Sequence, residues 1–262
     1  MPERQGSNYI NSQQNCRHLL DLSRVNIVDL ISLNGIIKLQ KSLEVSYMGD
    51  LADICNQAVL DIGMKKLEQP VFYNAPIGIR FEIGFLKPKY IKKFFRRTLN
   101  PSYVDSAFER ALTIYSNLPL APNLLRIDFL SYENKEKKTI ADICKCARLP
   151  LPHEQAIEMI PDEIEDNVYM RQVQLYWDLL KIDFSANKLL MEIIKGEFSA
   201  YPQFSQNTYF INSTDSILFH LYDDRGLDVV AKNKSSLESI YKNYNDWILD
   251  YDRERIDSLF VN

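Results

Sequence analysis

The chain has 262 residues, 46% hydrophobic and 25% charged, a globular balance with length for a substantial core that argues against a disordered, collagen-like or mucin-like polymer. Only 8 residues are glycine, under half the usual share, and neither G-x-G-x-x-G nor a Walker-type loop occurs, which counts against folds built on glycine-rich phosphate loops. A net charge of −4, from 35 acids and 31 bases, leaves any attraction to nucleic acid or anionic membrane to a local patch.

Residues 1–48 read as an N-terminal extension, polar to Gln14 and then rich in Leu, Ile and Val without a clean period. The start carries no apolar signal-peptide core. The densest apolar stretch, Leu19 to Leu39, is interrupted by Asp21, Arg24, Asp29 and Lys38, so no membrane span is expected and the chain reads as soluble and cytoplasmic. Four cysteines, Cys16, Cys55, Cys144 and Cys146, are too few for a disulfide scaffold in a chain of this length.

Residues 49–262 read as a single domain. Asp50 is placed to cap a helix whose Leu51, Ile54, Cys55, Ala58, Val59 and Ile62 share one face, ended by Gly63. Ile77, Ile79, Phe81, Ile83 and Phe85 then alternate with Gly78, Arg80, Glu82 and Gly84 as a strand. Tyr90, Phe94 and Phe95, among the bases of residues 87–97, fall at helical spacing. A helix from Ser102 carries Val104, Phe108, Ala111, Leu112 and Tyr115 to Pro119, and Leu125, Ile127 and Phe129 mark the next strand.

Ile140, Ile143, Cys144 and Ala147 recur at helical spacing, which gives Cys144-x-Cys146 a buried apolar role rather than a zinc or redox one. Beyond Pro150 and Pro152, the base-free acidic run Glu154, Glu158, Asp162, Glu163, Glu165 and Asp166 predicts a solvated loop or an exposed helix, and Val168–Trp177 a strand. A helix from Ser185 buries Leu189, Leu190, Ile193 and Ile194 and ends near Gly196. Thr208–Ile211, Ile217–Tyr222 and Leu227–Ala231 predict a β-meander. Ser235-x-x-Glu238 opens a terminal helix with Leu237, Ile240, Tyr241, Tyr244, Trp247, Ile248 and Tyr251 on its inner side, so Trp247 is expected in the core. The fold class expected is α+β, a mixed sheet of about five or six strands packed with helices.

Four segments carry a family resemblance: Phe72-Tyr73-Asn74-Ala75-Pro76-Ile77-Gly78-Ile79-Arg80-Phe81-Glu82-Ile83-Gly84, Phe108 to Tyr115, Leu221-Tyr222-Asp223-Asp224-Arg225-Gly226-Leu227-Asp228 to Ala231, and Tyr244 to Ile256. In this order they resemble the bacterial family catalogued as domain of unknown function 3885, over about Leu51 to Phe260. The resemblance implies a compartment and a fold and brings no activity, cofactor or catalytic residue.

None of the three histidines, His18, His153 and His220, sits in a nucleophile or metal motif, and His220, between Phe219 and Leu221, reads as a sheet-face residue. Asp223, Asp224, Arg225, Asp228, Asp250, Asp252, Arg253, Glu254, Arg255 and Asp257 are the most chemically loaded set. Interleaved arginines favour ion pairs, Asp252 with Arg255 and Arg253 with Asp257, over a metal site, so neither metal nor cofactor is expected. Arg80 and Glu82 on one strand and Arg126 and Asp128 on another would form an exposed lattice of opposite charges if the strands were neighbours.

The resulting candidate interaction surface is Arg80, Glu82, Asp223, Asp224, Arg225, Asp228, Asp252, Arg253 and Arg255. Lys92, Lys93, Arg96 and Arg97 form a candidate nucleic-acid patch, disfavoured by the net acidity. The reading favoured is a protein-binding module, immunity-like or regulatory, whose partner is another protein. Its alternatives are a hydrolase or metal-dependent nuclease using the C-terminal carboxylates, and nucleic-acid binding through residues 87–97.

Overall fold

The helix expected from Asp50 is α1 (Leu51–Ile62), and it buries Cys55, Ala58, Val59 and Ile62 on one face. Its first amides, those of Leu51 and Ala52, donate to the carboxylate of Glu154, a hundred residues away in sequence. Gly63 ends it at φ +96°, a left-handed conformation that any side chain would strain. This computed structural model describes residues 51–84, 86–93, 96–131, 135–161, 169–198, 204 and 206–261. The extension expected over residues 1–48 lies outside them.

After the single-turn α2 (Val71–Asn74), strand β1 (Gly78–Glu82) carries the expected alternation, but both of its faces are covered. Where helical spacing was read for Tyr90, the chain instead makes β2 (Tyr90–Lys93) and β3 (Arg96–Leu99), paired antiparallel in a ribbon of their own. Tyr90 and Phe94 share a side at a period of either 2 or 3.6, so over so short a stretch sequence spacing does not separate strand from helix; Phe94 and Phe95 themselves lie outside the described residues. Helix α3 (Pro101–Ser116) starts one residue before the expected Ser102. The Asn100 side chain accepts the Ser102 amide, and Pro101 occupies the first helical position.

β4 (Leu124–Ser131) and α4 (Glu136–Ala147) follow. The acidic run corrects another expectation, because its first part is β5 (Glu154–Pro161), hydrogen-bonded to β6 (Tyr169–Asp178). As an outermost strand β5 tolerates carboxylates that a central strand would not, and charge there discourages edge-to-edge association. α5 (Ala186–Gly196) and the meander β7 (Asn207–Asn212), β8 (Ile217–Leu221) and β9 (Gly226–Ala231) match their expected positions.

The terminal helix is broken. α6 (Glu238–Asn243) and α7 (Arg253–Phe260) are separated by short 3-10 turns and an extended step at Ile248 and Leu249. The Leu249 amide donates to the Arg80 carbonyl at 3.0 Å, and Ile248 bridges to Phe81, so this step covers the outer edge of β1. Asn243, Asn245 and Asp246 are weak helix formers, and a backbone partner outside the helix wins there.

The fold is α+β, as expected, with a larger sheet. Seven strands are ordered β1-β9-β8-β7-β4-β6-β5, every described pairing is antiparallel, and β2 and β3 form the separate ribbon. One face, with Phe81, Leu125, Leu175, Trp177, Phe210 and Phe219, packs under α3, α4, α5 and the C-terminal segment. The other, with Leu124, Tyr176, Ile211, Leu218 and Val230, packs under α1. Among the described residues, no helix is long and apolar enough to cross a membrane.

Candidate functional site

The register places one polar row across all seven strands on the α1 side of the sheet. Arg80 on β1 faces Asp228 on β9, which faces His220 on β8. The His220 ring stacks on Tyr209 of β7 with centroids 4.7 Å apart. Tyr209 faces Arg126 on β4, Arg126 faces Tyr176 on β6, and Tyr176 faces Glu154 on β5. The adjacent row on the same face, Val230, Leu218, Ile211 and Leu124, is apolar until it reaches Asp178 at the end of β6.

Each charge in the row is matched internally. Arg80 grips Asp228 through Nε to Oδ1 at 2.7 Å and Nη2 to Oδ2 at 2.9 Å, and the Phe72 amide donates to the same carboxylate at 3.1 Å. Arg126 grips Asp128, two residues along its own strand, with two contacts of 2.7 Å. The exposed lattice expected from these residues is therefore corrected on two counts. β9, β8 and β7 lie between β1 and β4, and the pairs are buried rather than exposed. Burial opposes both guanidinium charges, but the hydrogen bonds and charge of Asp228 and Asp128 outweigh it and hold both arginines above their ordinary pKa.

His220 is buried, with Nδ1 2.9 Å from the Thr208 carbonyl and Nε2 3.1 Å from the Gln69 amide nitrogen. These partners assign the neutral tautomer in which Nδ1–H donates to Thr208 and Nε2 accepts from Gln69. Burial lowers its pKa below 6.5, and the Thr208 carbonyl offsets this only in part. The unfolded chain therefore takes up the proton first, and stability should fall as pH drops below about 6.5, by up to about 1.4 kcal/mol per pH unit from this group. Urea midpoints from pH 7.5 to 5 should decline more steeply for the parent than for His220→Gln. Parallel declines would remove His220 from the account.

At the end of the row, where β1, β9 and β8 meet the β8–β9 turn, an open pocket of ≈ 600 Å³ is lined by Arg80, Glu82, Asp223, Arg225 and Asp228, all anticipated from the sequence, and by Gln69, Pro70, Glu197, His220, Tyr222 and Leu249. Asp223 shapes the turn by accepting the Arg225 amide at 2.7 Å and Arg225 Nε at 2.7 Å. Gly226 is required here, since a Cβ would lie 2.8 Å from the Phe81 carbonyl oxygen. Arg80 offsets Asp228 and Arg225 offsets Asp223. Among the described residues, Glu82 and Glu197 make no ion pair, and Arg110, whose Nη1 donates to the Glu82 carbonyl at 3.0 Å, offsets only part of the pocket's negative charge.

The remaining anticipated residues are structural ties. Asp224 is fully buried between Lys89 Nζ, at 3.0 Å, and the Tyr103 hydroxyl, at 2.5 Å. Asp252 accepts from the Tyr73 hydroxyl at 2.8 Å and lies 3.8 Å from Arg80 Nη1. The expected pairs Asp252–Arg255 and Arg253–Asp257 are replaced. Arg253 reaches Asp250, the Asn245 side chain and the Asn245 and Ile248 carbonyls, Arg255 reaches the Phe72 and Ala75 carbonyls, and Asp257 accepts from Tyr241. The two arginines thus fasten the C-terminal segment together and against α2. Among the described residues, no three His, Cys, Asp or Glu side chains are grouped to hold a metal ion. Lys92, Lys93, Arg96 and Arg97 stand apart on the ribbon, all exposed. Sequence reasoning missed Glu197, Tyr222 and Gln69; alternation along β8 was the only signal for Tyr222, and nothing local marked the others.

The family model described as domain of unknown function (DUF3885) matches residues 53–252. The uncharacterized protein YnaE of Bacillus subtilis (strain 168) is 31% identical over 75 residues, covering 26% of this chain and 35% of that protein, so the chain matches about a third of that relative's length. No solved structure matches the chain.

Proposed function

We propose that this chain, which belongs to the DUF3885 family, is a protein-binding module that receives a basic side chain of its partner in the pocket at the β1–β9–β8 end. The observation that carries this reading is the convergence of Arg80, Glu82, Asp223, Arg225 and Asp228 on one open cavity, with Glu82 and Glu197 making no ion pair among the described residues and only Arg110 close enough to offset part of the Glu82 charge. The floor is held by the Arg80–Asp228 pair and the Gln69–His220 contact, so it need not reorganise on binding. A guanidinium or ammonium group entering there meets two carboxylates and the flank of the half-buried Tyr222, a combination of ion pairing and ring contact suited to arginine.

A photo-crosslinking residue at position 225, on the exposed rim, tests this in the native cells. It should capture one discrete protein, and the crosslinked segment of that protein should carry arginine or lysine. Glu82→Gln combined with Glu197→Gln should reduce capture about tenfold or more, equivalent to about 1.4 kcal/mol, while stability stays within about 0.5 kcal/mol of the parent. Capture indifferent to both carboxylates would overturn the reading.

A further inference from the structure

The β2–β3 ribbon carries an electrostatic cost that nothing within the described chain relieves. Lys92 lies directly opposite Arg97, and Lys93 directly opposite Arg96. Like charges facing one another across an antiparallel pair destabilise it. All four side chains are exposed, and among the described residues none makes an ion pair. No acidic residue occurs between Glu82 and Asp105 in the sequence. The base of the ribbon is well anchored by contrast: the Asn100 amide donates to the Lys89 carbonyl at 3.0 Å, Asn100 Nδ2 to the Pro88 carbonyl at 2.9 Å, and Lys89 pairs with Asp224. A rooted, narrow element therefore carries four unneutralised cations on the strands either side of Phe94 and Phe95, which lie outside the described residues.

Their placement distinguishes between acidic ligands. Successive residues of a strand point to opposite faces, so the Lys92–Arg97 pair occupies one face of the ribbon and the Lys93–Arg96 pair the other. A protein surface would neutralise one face. Cations on both faces suit a ligand that flanks the ribbon with negative charge on two sides, and the major groove of B-form DNA, about 12 Å wide and walled by two phosphate backbones, admits a two-stranded ribbon. The narrow, deep major groove of duplex RNA does not. Beside the ribbon, a recess of ≈ 690 Å³ lined by Pro88, Lys89, Tyr90, Lys92, Arg96 and Arg97 gives a phosphate further room, with Tyr90 half exposed in its wall.

The geometry points to duplex DNA binding by this ribbon, inserted in the major groove with Lys92, Lys93, Arg96 and Arg97 on the flanking phosphates. This goes beyond the pocket reading and does not depend on it.

The test is fluorescence anisotropy of the whole chain with a labelled 20-base-pair DNA duplex between 50 and 200 mM salt. Four phosphate contacts predict a log–log slope near −3.6, a loss of affinity on the order of 10² across that range. Lys93→Gln with Arg96→Gln should shallow the slope by about two and melt no lower than the parent, since a repulsive pair is removed. Lys138→Gln, a surface change in α4, should leave binding unaltered. No binding at 50 mM salt, an unchanged slope in the double variant, or displacement by polyglutamate, single-stranded DNA or duplex RNA as readily as by unlabelled DNA duplex would overturn the assignment.

Discussion

Asp228→Ala should lower stability by about 3–5 kcal/mol, read as a shift of the urea midpoint at pH 7, a large part of a domain's usual 5–15. The Arg80 guanidinium lies 4.7 Å from the Tyr73 ring centroid and 5.1 Å from that of Phe72, and both oxygens of Asp228 are engaged by it. Removing the carboxylate strands a buried cation and leaves the Phe72 amide without its acceptor. The other nearby acid, Asp252, holds the Tyr73 hydroxyl through Oδ1 and keeps Oδ2 3.8 Å from Nη1, beyond hydrogen-bond reach, so it offsets only part of the stranded charge. The cost lies in breaking the pair rather than in lacking it, so Arg80→Met combined with Asp228→Leu should be less damaging than Asp228→Ala alone. Single and double variants of equal cost would mean that each residue acts through separate packing and that the polar row is not a coupled network.

Local signals recovered most of the elements around that row. The 3.6-residue stripe from Leu51 to Ile62, the alternation from Ile77 to Ile83 and each strand of the meander express a pattern contained in a dozen residues or fewer. The row itself was not legible, because Arg80 meets Asp228 across 148 positions, and that register follows from the order of seven strands. Arg80, Glu82, Arg126 and Asp128 were recognised as the polar side of two strands. Their neighbours were misassigned, since β1 and β4, the first two strands of the main sheet in chain order, are separated in it by three that come later. At the C-terminus, Arg253 and Arg255 looked like partners for acids one turn away. Both pairs lie within α7 and its N-cap, where the helix is continuous, but tertiary partners won: Arg253 turns back to the Asn245 and Ile248 carbonyls, which the break brings within reach, and Arg255 crosses to the Phe72 and Ala75 carbonyls. Charge also disguised β5, because an edge strand and a solvated loop draw on the same side chains.

The two tryptophans should separate by about 2 kcal/mol or more when each is replaced by alanine, with Trp177 the costlier. Trp247 was expected in the core from its place on a seven-residue apolar stripe, but that stripe runs over α6 and the 3-10 turns and extended step that follow it, and Trp247 is only half-buried. It rests under Arg110, whose guanidinium is 4.6 Å from its ring, and against Tyr244 at 4.9 Å. A cation–π contact of this kind contributes about 0.5–1 kcal/mol, and half-burial adds a part of the usual side-chain transfer energy. Trp177 is completely buried on β6, and its indole N–H donates to the Pro150 carbonyl at 3.0 Å. Truncating it opens a large cavity in the core and leaves that carbonyl with only the weak Cys144 thiol donor, for about 3–5 kcal/mol. These are the only tryptophans in the chain, so fluorescence resolves them directly: in the folded state acrylamide should quench the Trp177→Ala variant, which retains Trp247, far more than the Trp247→Ala variant. Equal quenching with equal destabilisation would place Trp247 in the core after all, and the C-terminal segment would then be part of the main packing unit instead of a strap across the edge of β1.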